Sequence, residues 1–279
     1  MNPDPVDIAL QEDVGASDIT GDSFVPATAL ASGRIVAREL AIIAGTQTAA
    51  EVFRRVDPNT RVDVICPDGA TVDAQDVVMQ VAGIARALLK AERVALNFLQ
   101  RLSGVATLTR KFVDAAANKH VKILDTRKTT PGLRVLEKAA VLAGGGANHR
   151  FGLFDMVLVK NNHLGAHFGV ASFQQALAQF RAKQPDVQIE VEANTLAQVR
   201  ALLELDGVDV ILLDNMKPAQ VREAVALGKG KVKFEASGGV TLKNVRQIAA
   251  TGVDYISVGA LTHSAHAIDL ALEMTYVGA

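Results

Sequence analysis

Short apolar runs alternate with longer amphipathic stretches over the second half of the chain. The runs centre near six residues: Leu124, Leu158, Ile189, Ile211, Phe234 and Ile256. The last four are spaced by about 22 residues, and the segments between them, at 196–205, 218–227 and 242–250, have a helical pattern. This alternation predicts repeated βα units and a parallel sheet. Six units rather than eight favour an incomplete, open parallel βα barrel over a doubly wound sheet.

The first 104 residues have a different pattern. Strand-like runs at 33–39, 62–66 and 77–82 are followed by apolar positions at helical spacing over 84–102. Gly104 is predicted to end that helix. Arg101 lies off the apolar stripe, and we expect it on the helix surface. The chain is therefore predicted to contain an N-terminal region and a separate barrel region.

Composition narrows the classes of protein that this chain can be. It has 279 residues, a net charge of −1, no Trp and a single cysteine, Cys66. A nucleic-acid-coating protein and a disulfide framework are therefore not expected. No apolar run approaches the roughly 20 residues of a membrane span, and the first residues lack a signal-peptide pattern. A cytoplasmic protein without membrane or nucleic-acid partners is the expectation.

Charge is concentrated between Lys119 and Lys160. This segment carries eight basic and three acidic residues, so it has a charge of +5 and the rest of the chain −6. A local basic cluster in a nearly neutral protein favours a small, highly anionic ligand, although a solvated helix face would give the same count.

Polar residues follow each predicted strand, where a parallel barrel places its chemistry. Arginine, lysine and histidine follow the first two strands and suit several carboxylates or a diphosphate. Glu192 and Asp214 suit sugar hydroxyls or a divalent ion carried by phosphates. Glycine turns after the last two strands suit a phosphate. Taken singly, each feature also fits a salt bridge, a surface side chain or an ordinary turn.

The combined motifs resemble quinolinate phosphoribosyltransferase, also called carboxylating nicotinate-nucleotide pyrophosphorylase, over nearly the whole chain. The matching segments are 92–97, 125–132, 148–150, 159–163, 190–192, 213–215, 235–239 and 257–261. One position departs from the family pattern, because Asn161 stands where an acid is expected after Lys160.

The resemblance implies an N-terminal α/β open-faced sandwich domain, residues 1–104, joined by a C-terminal helix at 265–279, and an incomplete barrel at 105–264. It also implies a homodimer with a shared active site. The implied reaction converts quinolinate and phosphoribosyl pyrophosphate to nicotinate mononucleotide, CO₂ and pyrophosphate. Mg²⁺ would arrive with phosphoribosyl pyrophosphate, near Glu192 and Asp214, without a dedicated protein metal site.

The resemblance also assigns roles. Lys128, Lys160, Glu192 and Asp214 would be catalytic, with Lys128 facing the pyrophosphate. Arg93 would reach into the partner's site. The substrate-binding set would be Arg93, Thr126, Arg127, Lys128, His149, Arg150, Lys160, Glu192, Asp214, Ser237, Gly238, Gly239, Gly259, Ala260 and Leu261.

Four alternatives remain open at this point. A nicotinate phosphoribosyltransferase and the molybdenum-transport-associated homologue share the expected fold. A Schiff-base aldolase would use Lys160 as its nucleophile. A sensor of phosphorylated metabolites would bind its ligand without turnover.

Overall fold

The computed structural model describes residues 4–160, 163 and 170–277, which form two compact units. The first comprises Met1–Arg110, Thr129–Gly145 and Leu261–Ala279, and the second Lys111–Lys128 and Gly146–Ala260. This division differs from the expected 1–104 and 105–264, because 105–110, 129–145 and 261–264 belong to the first unit. Among the described helices, none has the length and apolar character needed to span a membrane.

An antiparallel sheet organises the first unit. Its strands are β1 (Leu30–Ala37), β3 (Arg61–Val64), β5 (Val77–Ile84) and β12 (Leu270–Tyr276), in the order β12-β1-β5-β3. A small pair is formed by β2 (Ala41–Ile42) and β4 (Thr71–Val72). The helices of this unit are α1 (Pro5–Val14), α2 (Ile19–Phe24), α3 (Thr46–Val56), α4 (Ala85–Ala116, continuing into the second unit) and α5 (Arg134–Ala143). Sheet residues and the apolar faces of α3 and α4 share one core.

The predicted C-terminal helix at 265–279 is wrong, because β12 occupies most of that segment. Leu270, Leu272 and Met274 alternate with more polar neighbours and pack against the core cluster. That alternation has the period of a strand, with one face buried. The register pairs Leu272 with Ile35 of β1.

The predicted helix stop at Gly104 is also wrong. α4 runs through Gly104 to Ala116, and a Cβ on Gly104 would lie 2.0 Å from the carbonyl oxygen of His266. The glycine therefore allows a close backbone approach in the middle of the helix. Arg101, expected on the surface, is half-buried and donates to the fully buried Glu137.

A six-stranded parallel sheet organises the second unit. Its strands are β6 (Lys122–Leu124), β7 (Val157–Val159), β8 (Ile189–Ala193), β9 (Val210–Asp214), β10 (Lys233–Ser237) and β11 (Tyr255–Ser257). The order β6-β11-β10-β9-β8-β7 places β6 and β7 at the two edges, so among the described residues the sheet stays open. Four helices, α6 (Val170–Lys183), α7 (Leu196–Leu202), α8 (Pro218–Gly228) and α9 (Val245–Ala249), alternate with the strands, and α10 (Ala260–His263) follows β11. The predicted open parallel βα fold is confirmed.

Candidate active site

A cavity of about 530 Å³ is lined mainly by residues at or just beyond the carboxyl ends of the six parallel strands, and His149 and Arg150 reach it from the segment between α5 and β7. Eleven of the fifteen residues predicted for the site line it: Thr126, Arg127, Lys128, His149, Arg150, Lys160, Glu192, Asp214, Ser237, Gly238 and Gly239. The sheet topology brings these residues together from six separate stretches of sequence, as the strand-end argument predicts.

Cationic side chains supply one part of the lining. Arg127 and Lys128 follow β6, and Lys160 follows β7. Burial and the nearby charge of Arg127 lower the pKa of Arg150, the cation most enclosed by protein in this group. Two guanidinium groups close enough to repel each other are stabilised when an anion lies near both of them.

Carboxylates supply another part of the lining. Glu192 lies near the end of β8, and Asp214 is the last residue of β9. Oδ2 of Asp214 accepts hydrogen bonds from Nδ2 of Asn194 at 3.3 Å and from Nδ2 of Asn215 at 2.9 Å. These amides hold Asp214 at the cavity, where a carboxylate can accept from a hydroxyl or approach a cation.

The turn after β10 needs glycine. Gly238 has φ +88°, and a Cβ there would lie 2.3 Å from Oδ1 of Asn215. Gly239 also has positive φ, at +60°. The Ser257 hydroxyl donates to the Ser237 hydroxyl at 2.9 Å. A turn of this shape leaves backbone N–H groups accessible to an anion.

A buried cluster beside the cavity was missed by the sequence argument. Nε2 of His149 lies 3.0 Å from Oε2 of Glu190 and 3.4 Å from Oε2 of Glu235, and these glutamates are 0% and 2% exposed. The sequence signal was a glutamate inside a strand whose neighbours are apolar, which is unusual unless the carboxylate is paired.

Burial and neighbouring charges shift the pKa values of the groups in this cluster. Burial disfavours a charged ring, whereas the hydrogen bonds and charges of Glu190 and Glu235 raise the pKa of His149 above its ordinary value. Burial also raises the pKa of Glu190 to about 7; His149 opposes this rise and Glu235 adds to it. Nδ1 of His149 accepts the Arg150 amide at 2.7 Å, and only a ring without a proton on Nδ1 can do so. The glutamates therefore favour a charged ring and the Arg150 contact favours a neutral one, and in the arrangement present the ring proton is on Nε2.

Some predicted site residues lie elsewhere. Gly259 and Ala260 follow β11 but do not line the cavity. Arg93 is exposed on α4, and it and Leu261 belong to the first unit. Asn161 lies outside the described residues. The roles of these four site residues, and the effect of Asn161, stay predictions.

Comparison with known proteins decides the family. The model of the quinolinate phosphoribosyl transferase N-terminal domain matches residues 18–103, and that of the C-terminal domain matches residues 105–273. The chain belongs to the quinolinate phosphoribosyltransferase family. The resemblance read from the motifs is thereby confirmed.

Individual members of the quinolinate phosphoribosyltransferase family match over most of their length. A quinolinate phosphoribosyltransferase [decarboxylating] of Nicotiana tabacum is 42% identical over 96% of this chain and 80% of its own. A probable carboxylating nicotinate-nucleotide pyrophosphorylase of Bacillus subtilis is 43% identical over 95% of this chain and 90% of its own.

Solved structures agree with that assignment. NadC of Streptococcus pyogenes has a TM-score of 0.91 at 38% identity, covering 98% of this chain and 95% of its own. The nicotinate-nucleotide pyrophosphorylase of Francisella tularensis has a TM-score of 0.89 at 36% identity, covering 98% of each chain. A human nicotinic acid phosphoribosyltransferase, at 14% identity and a TM-score of 0.62, shares the fold alone.

Proposed function

We propose that this chain transfers the phosphoribosyl group of phosphoribosyl pyrophosphate to quinolinate with loss of CO₂, giving nicotinate mononucleotide and pyrophosphate. The observation that carries the proposal is one cavity lined by Arg127, Arg150 and Lys160 together with Glu192 and Asp214. The cations suit a ring with two carboxylates, and the acids suit the hydroxyls of a ribose. A relative is named as a decarboxylating quinolinate phosphoribosyltransferase, which supports testing quinolinate and phosphoribosyl pyrophosphate first.

The reaction needs charge stabilisation rather than a protein nucleophile. The ring nitrogen of quinolinate attacks the anomeric carbon of the ribose, and pyrophosphate leaves with the bonding electron pair. Lys128 and the neighbouring cations stabilise the negative charge on the leaving group, and the carboxylates stabilise the positive charge on the sugar. The ribosylated nitrogen is cationic, so the adjacent carboxylate departs as CO₂, its electron pair stays on the ring carbon, and that carbon takes up a proton.

We propose that Glu192 and Asp214 would hold a Mg²⁺ carried by the diphosphate. The donor set fits this group, because Glu192 and Asp214 supply carboxylate oxygens, the ligands that Mg²⁺ uses together with substrate phosphates. When bound, Mg²⁺ supplies positive charge to the diphosphate as it leaves. Glu192 and Asp214 then orient the ribose end of the substrate.

The assay that tests the reaction compares quinolinate and nicotinate side by side, each with phosphoribosyl pyrophosphate and Mg²⁺. We expect nicotinate mononucleotide by mass detection and release of labelled CO₂ from quinolinate only. Turnover of nicotinate alone would support a nicotinate phosphoribosyltransferase. Borohydride trapping of a carbonyl substrate on Lys160 would support an aldolase, and tight binding without turnover a sensor. Each of these three results contradicts the proposal.

We further propose that the active protein is a homodimer whose sites are shared. Leu153 and Phe154, three and four residues after the cavity-lining Arg150, are 75% and 81% exposed, and exposed apolar side chains next to each other are typical of a surface that a partner covers. Arg93 is exposed on α4, where it is available to a second copy. Mixing Arg93→Ala and Arg127→Ala chains should restore activity in verified heterodimers, since each contains one intact site. Heterodimers that stay inactive would refute the sharing.

We also propose a cytoplasmic location. The single cysteine, Cys66, supports it, because chains without disulfides are typical of reducing compartments. Fractionation of the native cells should recover the protein with cytosolic markers. Recovery with membranes or outside the cells would contradict the proposal.

A further inference from the structure

Both ring nitrogens of His149 are engaged by the protein itself. Nδ1 accepts the backbone N–H of Arg150 at 2.7 Å, and Nε2 lies 3.0 Å from Glu190 and 3.4 Å from Glu235. The backbone N–H of His149 donates to the fully buried Asp125 at 2.9 Å. The residue is therefore fixed at its ring and at its main chain, and in this arrangement its ring nitrogens face protein groups instead of a ligand.

The two carboxylates depend on this ring. Both carboxylate oxygens of Glu190 and Oε1 of Glu235 have no hydrogen-bond partner of good geometry among the described residues, so the approach of His149 Nε2 to Glu190 Oε2 at 3.0 Å is a close polar contact. A buried carboxylate without partners is costly, so Nε2 of His149 is held where its proton faces both carboxylates, at 3.0 Å from Glu190 and 3.4 Å from Glu235. The ring then has one fixed orientation, with Nδ1 directed at the amide of the next residue.

That next residue is the cavity cation Arg150. Its Nη1 lies 3.5 Å from the Met156 carbonyl oxygen, and Arg127 is close enough to lower its pKa. Recognition of a carboxylate by a guanidinium depends on placement to within about half an ångström. The Nδ1 contact fixes the backbone from which the Arg150 side chain reaches into the cavity.

We propose that His149 is a positioning residue that orients Arg150 toward the diacid, through a ring anchored on the buried Glu190–Glu235 pair, and that its ring does not itself contact the diacid. This inference rests on the proposed function. It replaces the role of substrate ligand that the motif resemblance assigns to His149.

Two substitutions separate the ring nitrogens. In His149→Asn the side-chain oxygen stands near the position of Nδ1 and still accepts the Arg150 amide. In His149→Gln the amide nitrogen stands near Nε2 and still donates to the glutamates, but the acceptor for Arg150 is lost. We expect His149→Gln to weaken quinolinate binding by about tenfold, the loss of one well-placed hydrogen bond, and His149→Asn to weaken it less. If the ring instead bound the diacid through Nε2, His149→Asn would weaken quinolinate binding more than His149→Gln.

The experiment is calorimetric binding of quinolinate to the intact protein, with KM and kcat measured on the same samples. His120→Gln, at an exposed histidine of the same unit, is the matched control. The positioning role predicts that His149→Gln raises KM for quinolinate and leaves KM for phosphoribosyl pyrophosphate unchanged. It also predicts little further loss of quinolinate affinity when His149→Gln is added to Arg150→Ala.

The outcomes distinguish the two proposals. If wild-type protein neither binds nor converts quinolinate, the proposed function fails. If wild type does both, the inference is overturned by wild-type affinity in His149→Gln, or by an undiminished effect in the Arg150→Ala background. Should His149→Asn fail to fold, the Arg150→Ala double-variant comparison decides alone.

Discussion

Gly104 gives the sharpest test of packing in the first unit, because the structure and helix propensity predict opposite effects for Gly104→Ala. In an ordinary helix interior this change stabilises by about 0.5–1 kcal/mol. Here the added Cβ would stand 2.0 Å from the His266 carbonyl oxygen, whereas unstrained carbon contacts need about 3.5 Å. Helix and chain would have to separate by about 1.5 Å.

That separation is opposed by the contacts that hold the segment after α10. The N–H of Ile268 donates to the carbonyl of Gln100 at 3.1 Å, and the Gln100 side chain donates to the Leu270 carbonyl at 2.9 Å. Overpacking costs about 1–3 kcal/mol, and each hydrogen bond lost adds about 1 kcal/mol. If both hydrogen bonds are lost and the propensity gain is subtracted, we expect Gly104→Ala to destabilise the protein by about 2–4.5 kcal/mol.

Urea unfolding followed by far-ultraviolet circular dichroism measures this difference. The matched control is Gly83→Ala in β5, where the new Cβ would meet its nearest neighbour at an ordinary 3.4 Å. Gly83→Ala should be neutral or slightly stabilising, and Gly104→Ala should lower the midpoint clearly. A Gly104→Ala protein as stable as wild type would refute the reasoning, and Gly104 would then have no role in the close approach.

Three further changes test other parts of the account. Arg101→Met removes the charge partner of the buried Glu137 and should lower stability in urea by about 3–5 kcal/mol; a loss below 1 kcal/mol would contradict that pairing. Gly238→Ala forces a side chain into a +88° φ and against Asn215, so KM for phosphoribosyl pyrophosphate should rise at least about tenfold; unchanged steady-state kinetics would contradict the phosphate role. Glu190→Gln tests the pH dependence of stability. The pKa of Glu190 is about 7 in the folded protein and 4.5 in the unfolded chain, so the folded protein binds more protons between these pH values. The free energy of unfolding therefore falls as pH rises from 4.5 to 7. Urea titrations of Glu190→Gln across pH 4.5–7 should not show this loss of stability. An equal loss in wild type and variant would refute the raised pKa of Glu190.

The barrel could be predicted from sequence because its central strands are mostly buried. Runs centred on Ile189, Ile211 and Phe234 are short, apolar and evenly spaced, so periodicity alone locates them. The position of the cavity could be predicted from the same pattern. Parallel strands bring Glu192 and Asp214 to the same edge of the sheet, whatever rotamers their side chains adopt.

The sequence predictions fail where a local signal is ambiguous or where the resemblance alone implies an element. Gly104 is predicted to end the helix because glycine is a common helix terminator, whereas its reason here is the close approach of the distant His266 backbone. The resemblance implies a helix at 265–279, whereas the alternation at Leu270 and Leu272 is that of a strand. Glu190 has no predicted role because its partner, His149, is distant in sequence and only the fold joins them.

A crystal structure with nicotinate mononucleotide bound tests the central claim most directly. The account predicts the phosphate against the turn of Ser237, Gly238 and Gly239, the ribose hydroxyls beside Glu192 and Asp214, and the pyridine carboxylate on the Arg150 side of the same cavity. A nucleotide bound outside this cavity, or with its phosphate among the cations and its pyridine ring at the glycine turn, would contradict it.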